Sequence, residues 1–250
     1  DHARIAVVPG DPGRVEGLAR FFDTEARFLT SHRDYTSWLA HVNGMPVLIM
    51  STGMGGPCVT FAVEELARLG VETFIRVGTT GSIQESIHLG DVIINKASVR
   101  MDGASKNYAP VEYPGIADLE TTMELKQAAA ELGISCHMGI SVSTDSFWPG
   151  QERYDSFGGY VLRRLQGSMD EFRHLGCTNY EMENATLFTV TSVLGLKASS
   201  ICGVVAQRTS GEAVASRDVY LQAEEKFQKI VRKMLENRSN AGENRLKGAD

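Results

Sequence analysis

Two rhythms of apolar and polar positions run along this chain. Short apolar or alternating runs rich in β-branched residues predict strands at RIAVVP (4–9), ARFLTSH (26–32), YTSWLAHV (35–42), PVLIMSTG (46–53), TFIRVGTTGS (73–82) and DVIINKASVRM (91–101). Further strands are predicted at SCHMGISVSTDSF (135–147) and KASSICGVVAQRT (197–209). Between them, helical spacing appears in RVEGLARFF (14–22), in GGPCVTFAVEELARLG (55–70) ending on Gly70, and in LETTMELKQAAAELG (119–133). Two more helices follow, one after Glu183 and a long one from about Arg217 to Asn237. The alternation predicts an α/β fold, a mixed, twisted central sheet flanked by helices, with local hairpins where strands crowd together between 25 and 52.

With 250 residues and 42% hydrophobic content, the chain has material for one substantial core. No composition break marks a linker, so a single domain over 1–250 is expected, with a polar, frayed tail from about 238. A formal charge of -6 argues against a non-specific nucleic-acid binder, which needs a basic surface to displace counterions. Any phosphate must be met locally. The four cysteines are far apart and lack metal-ligand spacing, which fits reduced thiols in a cytoplasmic protein. No apolar run approaches the ~18 residues that span a bilayer, and no basic-then-apolar leader is seen, so no membrane partner is expected.

Three glycine-rich turns follow predicted strands: PGDPGR, STGMGGP and GTTGS. At the carboxyl ends of strands such loops line ligand crevices, and glycine lets backbone N–H groups approach an anion. Neither a P-loop nor a dinucleotide fingerprint is present. Arg76 interrupts an apolar strand, where a guanidinium requires an anion: either a buried carboxylate of the protein or a ligand. With Arg14, Thr79 and free glycine N–H groups it could cage inorganic phosphate. In TDSFWPGQERYD, Gln151 and Arg153 offer an acceptor and several donors that match the edge of a planar heterocycle, and Phe147 could stack on its face; the alternative is a polar surface turn. In NYEMENATL, Glu181 and Glu183 border an apolar helix. A carboxylate suits two vicinal sugar hydroxyls, with Met182 against the sugar's carbon face, yet either glutamate could instead cap the helix.

Taken in order, VVPGDPGR, SHRDYTSW, STGMGGP, RVGTTGSI, FWPGQERYD, NYEMENATL and GVVAQRT resemble the nucleoside phosphorylase family, in its pyrimidine-specific bacterial branch, over roughly residues 4–235. The resemblance implies attack of inorganic phosphate on the anomeric carbon of uridine, giving ribose 1-phosphate and uracil, with deoxyuridine or thymidine as further substrates. It assigns phosphate to Gly10, Arg14, Arg76 and Thr79, and to Arg33 reaching across a dimer interface. Ribose falls to Met182, Glu183, Glu181 and Thr79, and uracil to Phe147, Gln151, Arg153, Val205, Ala206 and Arg208. It also implies a homohexamer, a trimer of dimers with shared sites.

Ala206 and Gln207 stand where purine-specific members carry an aspartate that protonates the leaving base, which favours uridine over inosine or adenosine. His2 is not the family's N-terminal histidine that contacts the 5′-hydroxyl. Asp34 and Cys58 occupy positions that in many relatives bind a monovalent cation; a thiol is a poor ligand for a hard cation, so weak or absent potassium binding and no other cofactor are expected. A non-catalytic nucleoside-binding protein of the same fold is the remaining alternative.

Overall fold

A computed structural model describes residues 2–209 and 211–247. Its strands are β1 (Ile5–Pro9), β2 (Arg27–His32), β3 (Tyr35–Val42), β4 (Met45–Met50), β5 (Thr73–Ser82), β6 (Val92–Met101), β7 (Gly115–Ile116), β8 (His137–Thr144), β9 (Asn179–Glu181), β10 (Lys197–Gln207) and β11 (Ala213–Val214). The helices are α1 (Val15–Phe22), α2 (Gly56–Arg68), α3 (Leu119–Glu131), α4 (Ser168–His174), α5 (Asn184–Val193) and α6 (Arg217–Lys247). The expected strands and helices all form.

The strands join in one mixed sheet ordered β11-β10-β6-β8-β9-β5-β1-β4-β3-β2. Because β10 also pairs with β5, the strands β5, β10, β6, β8 and β9 close a circuit. β2, β3 and β4 form the expected antiparallel hairpins, and the second turn has positive φ at both Asn43 and Gly44, the geometry a tight hairpin requires.

Period-two alternation sorts the buried side chains between two helical layers. Val7, Ile75 and Val77 face Leu18, Phe22, Leu125 and Phe227. On the other face Ala6, Val8 and Phe74 meet α2 and α5 through Val59, Val63, Leu187 and Phe188. Arg76 follows Phe74 by two, so alternation turns its side chain toward the α2–α5 layer. That one parity decides where the site can be.

Several features depart from the sequence pattern. β7, β9, β11 and α4 arise in segments without clear periodicity, because two or three residues of strand and seven of helix are too short to show one. The last helix does not stop near Asn237 but continues to Lys247. Within it Arg238 pairs with Glu124 and donates 2.9 Å to Thr121 Oγ1, while Ser239 donates to the Asn43 carbonyl, so 238 and 239 are docked rather than frayed. Residues 248–250 of the expected tail lie outside the described residues.

α2 and α5 pack closely because Gly56 has no side chain: a Cβ there would overlap Thr186 Oγ1 and lie 2.9 Å from Ala104 Cβ. Gly56→Ala should therefore cost about 1–3 kcal/mol through overpacking. Thermal unfolding should fall by roughly 2–4 °C per kcal/mol in a chain of this size, and an unchanged midpoint would refute the close packing.

Candidate active site

Two of the three predicted glycine turns meet at the carboxyl ends of β1 and β4; the third, GTTGS, is not a turn but the second half of β5. Thr52 N–H donates to the Pro9 carbonyl and Gly53 N–H to Gly10, both at 2.9 Å, and a Cβ on Gly10 would lie 3.2 Å from the Gly53 carbonyl. PGDPGR and STGMGGP are thus one stitched rim. Gly55 N–H donates 2.8 Å to Glu183 Oε1, and the other oxygen of Glu183 pairs with Arg76 Nη2. Arg76 Nη1 also reaches Cys202 Sγ at 3.3 Å. Arg76 lies across Gly78, where any Cβ would overlap the guanidinium. Burial works against the charge of Arg76, but Glu183, Cys202 and Glu181 outweigh it and hold its pKa above the ordinary value. Of the two sequence readings for Arg76, the buried carboxylate is therefore present, and it is itself one of the predicted ligand residues.

Glu181 requires a correction. Its carboxylate accepts from Ser141 at 3.1 Å, from Ser143, and from the backbone N–H groups of Glu183 and Asn184 at 2.7 Å each. Those four donors match its four acceptor positions, so Glu181 caps α5 and has none left for a sugar hydroxyl. Met182, half-buried, stands between it and Glu183.

Of the base-side candidates, Arg153 and Arg208 line a cavity of about 540 Å³ together with Glu212, whereas Phe147, Gln151, Val205 and Ala206 are not part of its wall. Gln151 and Arg153 are buried, at 3% and 4% exposure, which excludes the surface-turn reading. Arg153 pairs with Glu212, and Arg208 Nε lies 3.7 Å from the same carboxylate. The Arg153 guanidinium lies over one face of Phe147, 4.0 Å from its centroid, while the ring as a whole remains exposed. Arg208 lies 5.7 Å from the Tyr180 ring centroid, and burial, then the neighbouring Arg153 charge, pushes its pKa down. Arg153 Nε and Arg208 Nη1 are buried without a hydrogen-bond partner among the described residues.

The remaining residues are held by local geometry. β10 carries an extra residue against β5 between Val204 and Ala206, and this bulge sets Val205 and Ala206 beside Gly81, where a Cβ would lie 3.5 Å from Arg208 Cδ and 3.7 Å from Ala206 Cβ. Gln207 turns away and donates to the Ile87 carbonyl at 3.0 Å. Thr79 is half-buried on β5, whereas Thr80 faces inward and donates to the Tyr180 carbonyl. Arg14 bonds through Nε to Glu224 on α6 at 2.8 Å. Arg33, at φ 53°, sits exposed at the β2–β3 turn beside Asp34. The structure thus brings together Arg76, Glu183 and the glycine rim at one end, and Gln151, Arg153 and Arg208 at the other. Glu212, Glu224 and Tyr180 were missed; the signal was an excess of arginine over carboxylate among the predicted residues. A larger recess of about 930 Å³ opens elsewhere, at the amino ends of β1 and β5, but its Arg4, Lys197 and Arg238 are paired with Glu72, Glu120 and Glu124.

The glycine rim and the buried pair of Arg76 and Glu183 lie at one end of the site and the Arg153–Arg208 cluster at the other, and the chain belongs to the phosphorylase superfamily, whose model matches residues 4–236. It is 48% identical to the uridine phosphorylase of Escherichia coli over 92% of this chain and 90% of the relative. It is 44% identical to that of Thermococcus kodakarensis over 97% and 87%. It is 35% identical to a guanosine phosphorylase of Halorubrum lacusprofundi over 84% and 81%.

Removing one partner of a buried ion pair strands the other charge. Arg76→Ala should destabilise the fold by about 3–5 kcal/mol in urea denaturation, and a loss below about 1 kcal/mol would mean that Glu183 is not buried against it.

Proposed function

We propose that this protein catalyses the phosphorolysis of uridine. A phosphate oxygen forms a bond to the anomeric carbon as the bond from that carbon to N1 of uracil breaks, and the electron pair leaves with the base, which then takes up a proton. The observation that carries the reading is the position of residues 180–183: Tyr180 supports Arg208 at the base cluster, Glu183 joins Arg76 at the other cluster, and Met182 lies between. A pentose on Met182 and Glu183 would have the anion site on one side and the base site on the other.

Phosphate is held by Gly10, Arg14, Arg76 and Thr79, taking over from Glu183 and Glu224 as the counter-charge of the arginines. Glu183, released from Arg76, accepts from the ribose hydroxyls. Gln151 and Arg153 read the uracil edge, Arg208 stands behind, and Val205 and Ala206 form an apolar wall. As the glycosidic bond stretches, positive charge on the sugar is steadied by phosphate and negative charge on the base by the arginines. No covalent intermediate and no cofactor are required, and Asp34 and Cys58 contribute little to potassium binding.

The relatives include a guanosine phosphorylase, so the purine alternative has a specific test. Ala206 carries no acid, Gln207 faces Ile87, and Glu212 is engaged by Arg153, which argues against protonating a purine leaving group. Arg33, exposed on its hairpin, would serve a second copy's phosphate in a homohexamer assembled as a trimer of dimers. The setting is pyrimidine salvage in the cytoplasm.

Incubation with uridine should change the absorbance of the base only when phosphate is added. Change without phosphate would indicate a hydrolase, and binding without change a non-catalytic protein; faster turnover of inosine than of uridine would reverse the base assignment. Arg153→Ala should lose about 10- to 150-fold in kcat/KM, the range of one charge-assisted hydrogen bond, with circular dichroism unchanged.

A further inference from the structure

The N-terminus of α5 is built around a carboxylate that the reaction itself does not use. Glu181 ends β9, and its Oε2 takes the N–H groups of Glu183 and Asn184 at 2.7 Å each, while the next N–H, that of Ala185, goes to Ser143 Oγ at 2.8 Å. Since Ser143 accepts from Ala185, its own proton is free to go to Glu181. Ser141 behaves alike, accepting from Asn184 Nδ2 at 3.2 Å and donating to Glu181 at 3.1 Å. Ser98 lies 2.8 Å from Ser143 and 2.9 Å from Ser141 and closes the group. Two helix N–H groups and two serines therefore converge on one buried carboxylate, with the Ala185 N–H and Ser98 joined to it through those serines.

Glu183 is the residue whose backbone this arrangement holds. Its side chain projects the opposite way, to Gly55 N–H and Arg76. Both oxygens of Glu183 depend on where its own N–H is anchored, and Glu181 anchors it. We propose that Glu181 is a positioning residue: by holding the first turn of α5, it aims Glu183 at the sugar and so sets the preference for a pentose bearing both hydroxyls over its 2-deoxy counterpart. The proposal rests on the assignment of ribose to Glu183 made above. A misaimed acceptor costs most for the substrate that donates most to it. Uridine offers two vicinal hydroxyls, whereas 2′-deoxyuridine offers one.

The experiment compares kcat/KM for uridine and 2′-deoxyuridine, at saturating phosphate, in wild type, Glu181→Gln, Ser143→Ala and Glu183→Gln. The amide of Glu181→Gln keeps one acceptor for the helix N–H groups but loses the charge and half the acceptor positions. The uridine-to-deoxyuridine ratio should fall about tenfold, the lower end of what one charge-assisted hydrogen bond supplies. Ser143→Ala, which removes one donor and leaves the carboxylate, should move the ratio in the same direction by less. A purely structural role would lower both substrates together and leave the ratio where it was, and that result overturns the proposal. If Glu181→Gln does not fold, the ratio in Ser143→Ala decides alone. An unchanged ratio in Glu183→Gln would remove the ribose assignment itself and the proposal with it, whereas a shift in Glu183→Gln without one in Glu181→Gln overturns only the positioning role.

Discussion

Everything at this site depends on the buried pair of Arg76 and Glu183. A guanidinium in the middle of a covered strand must be neutralised within the protein or by whatever binds, because an isolated charge there would cost several kcal/mol. Glu183 meets that demand from the first turn of α5, and its second oxygen takes Gly55 N–H from the loop before α2. One carboxylate thus ties a central strand, a helix start and a glycine rim. The pair also constrains neighbouring sequence: Gly78 must lack a side chain so that Arg76 can lie across it, and α5 must begin where Glu183 can reach.

The same solution recurs around the site. Arg14 is held by Glu224 and Arg153 by Glu212, so arginines assigned to phosphate and to the base alike rest on glutamates. On the proposed function, binding would be coupled through these pairs. A phosphate dianion can replace a glutamate as counter-charge, whereas a neutral nucleoside cannot, so phosphate would relieve the opening of the Arg76–Glu183 pair that the sugar needs. The release of Glu183 and the arrival of the anion would then be two sides of one exchange, in which the two substrates favour each other.

Much of this was legible in the chain before its fold was known. Arginine inside TFIRVG called for an anion, the turns PGDPGR and STGMGGP pointed to strand ends, and Gln151 with Arg153 suggested a heterocycle edge, whereas GTTGS, read as a third turn, is the second half of β5. These signals are local, carried by residue types within a few positions. What the sequence withheld is long-range. Arg14 and Glu224 are 210 positions apart, Arg76 and Glu183 107, and Arg153 and Glu212 59. No periodicity connects such partners. The division of labour between Glu181 and Glu183 was equally hidden, since two glutamates separated by one residue look alike until the strand parity of β9 and the start of α5 send their side chains in opposite directions. The bulge at Val205 belongs to the same class, because it exists only in the register of β10 against β5.

The base end is balanced differently from the phosphate end. Glu212 has two oxygens to offer two guanidinium groups, and it is closely bound to only one of them. Arg153 Nε and Arg208 Nη1 are left buried with no acceptor among the described residues. Each such donor costs about 1–3 kcal/mol where it stays unpaired. A fold tolerates this where a bound group supplies the missing acceptors. A uracil ring carries two carbonyl oxygens whose negative charge grows as the glycosidic bond stretches, so on the proposed function the donors would gain more from the departing base than from the intact nucleoside. The polar deficit carried by the protein would become, at that moment, stabilisation of the transition state rather than of the ground state.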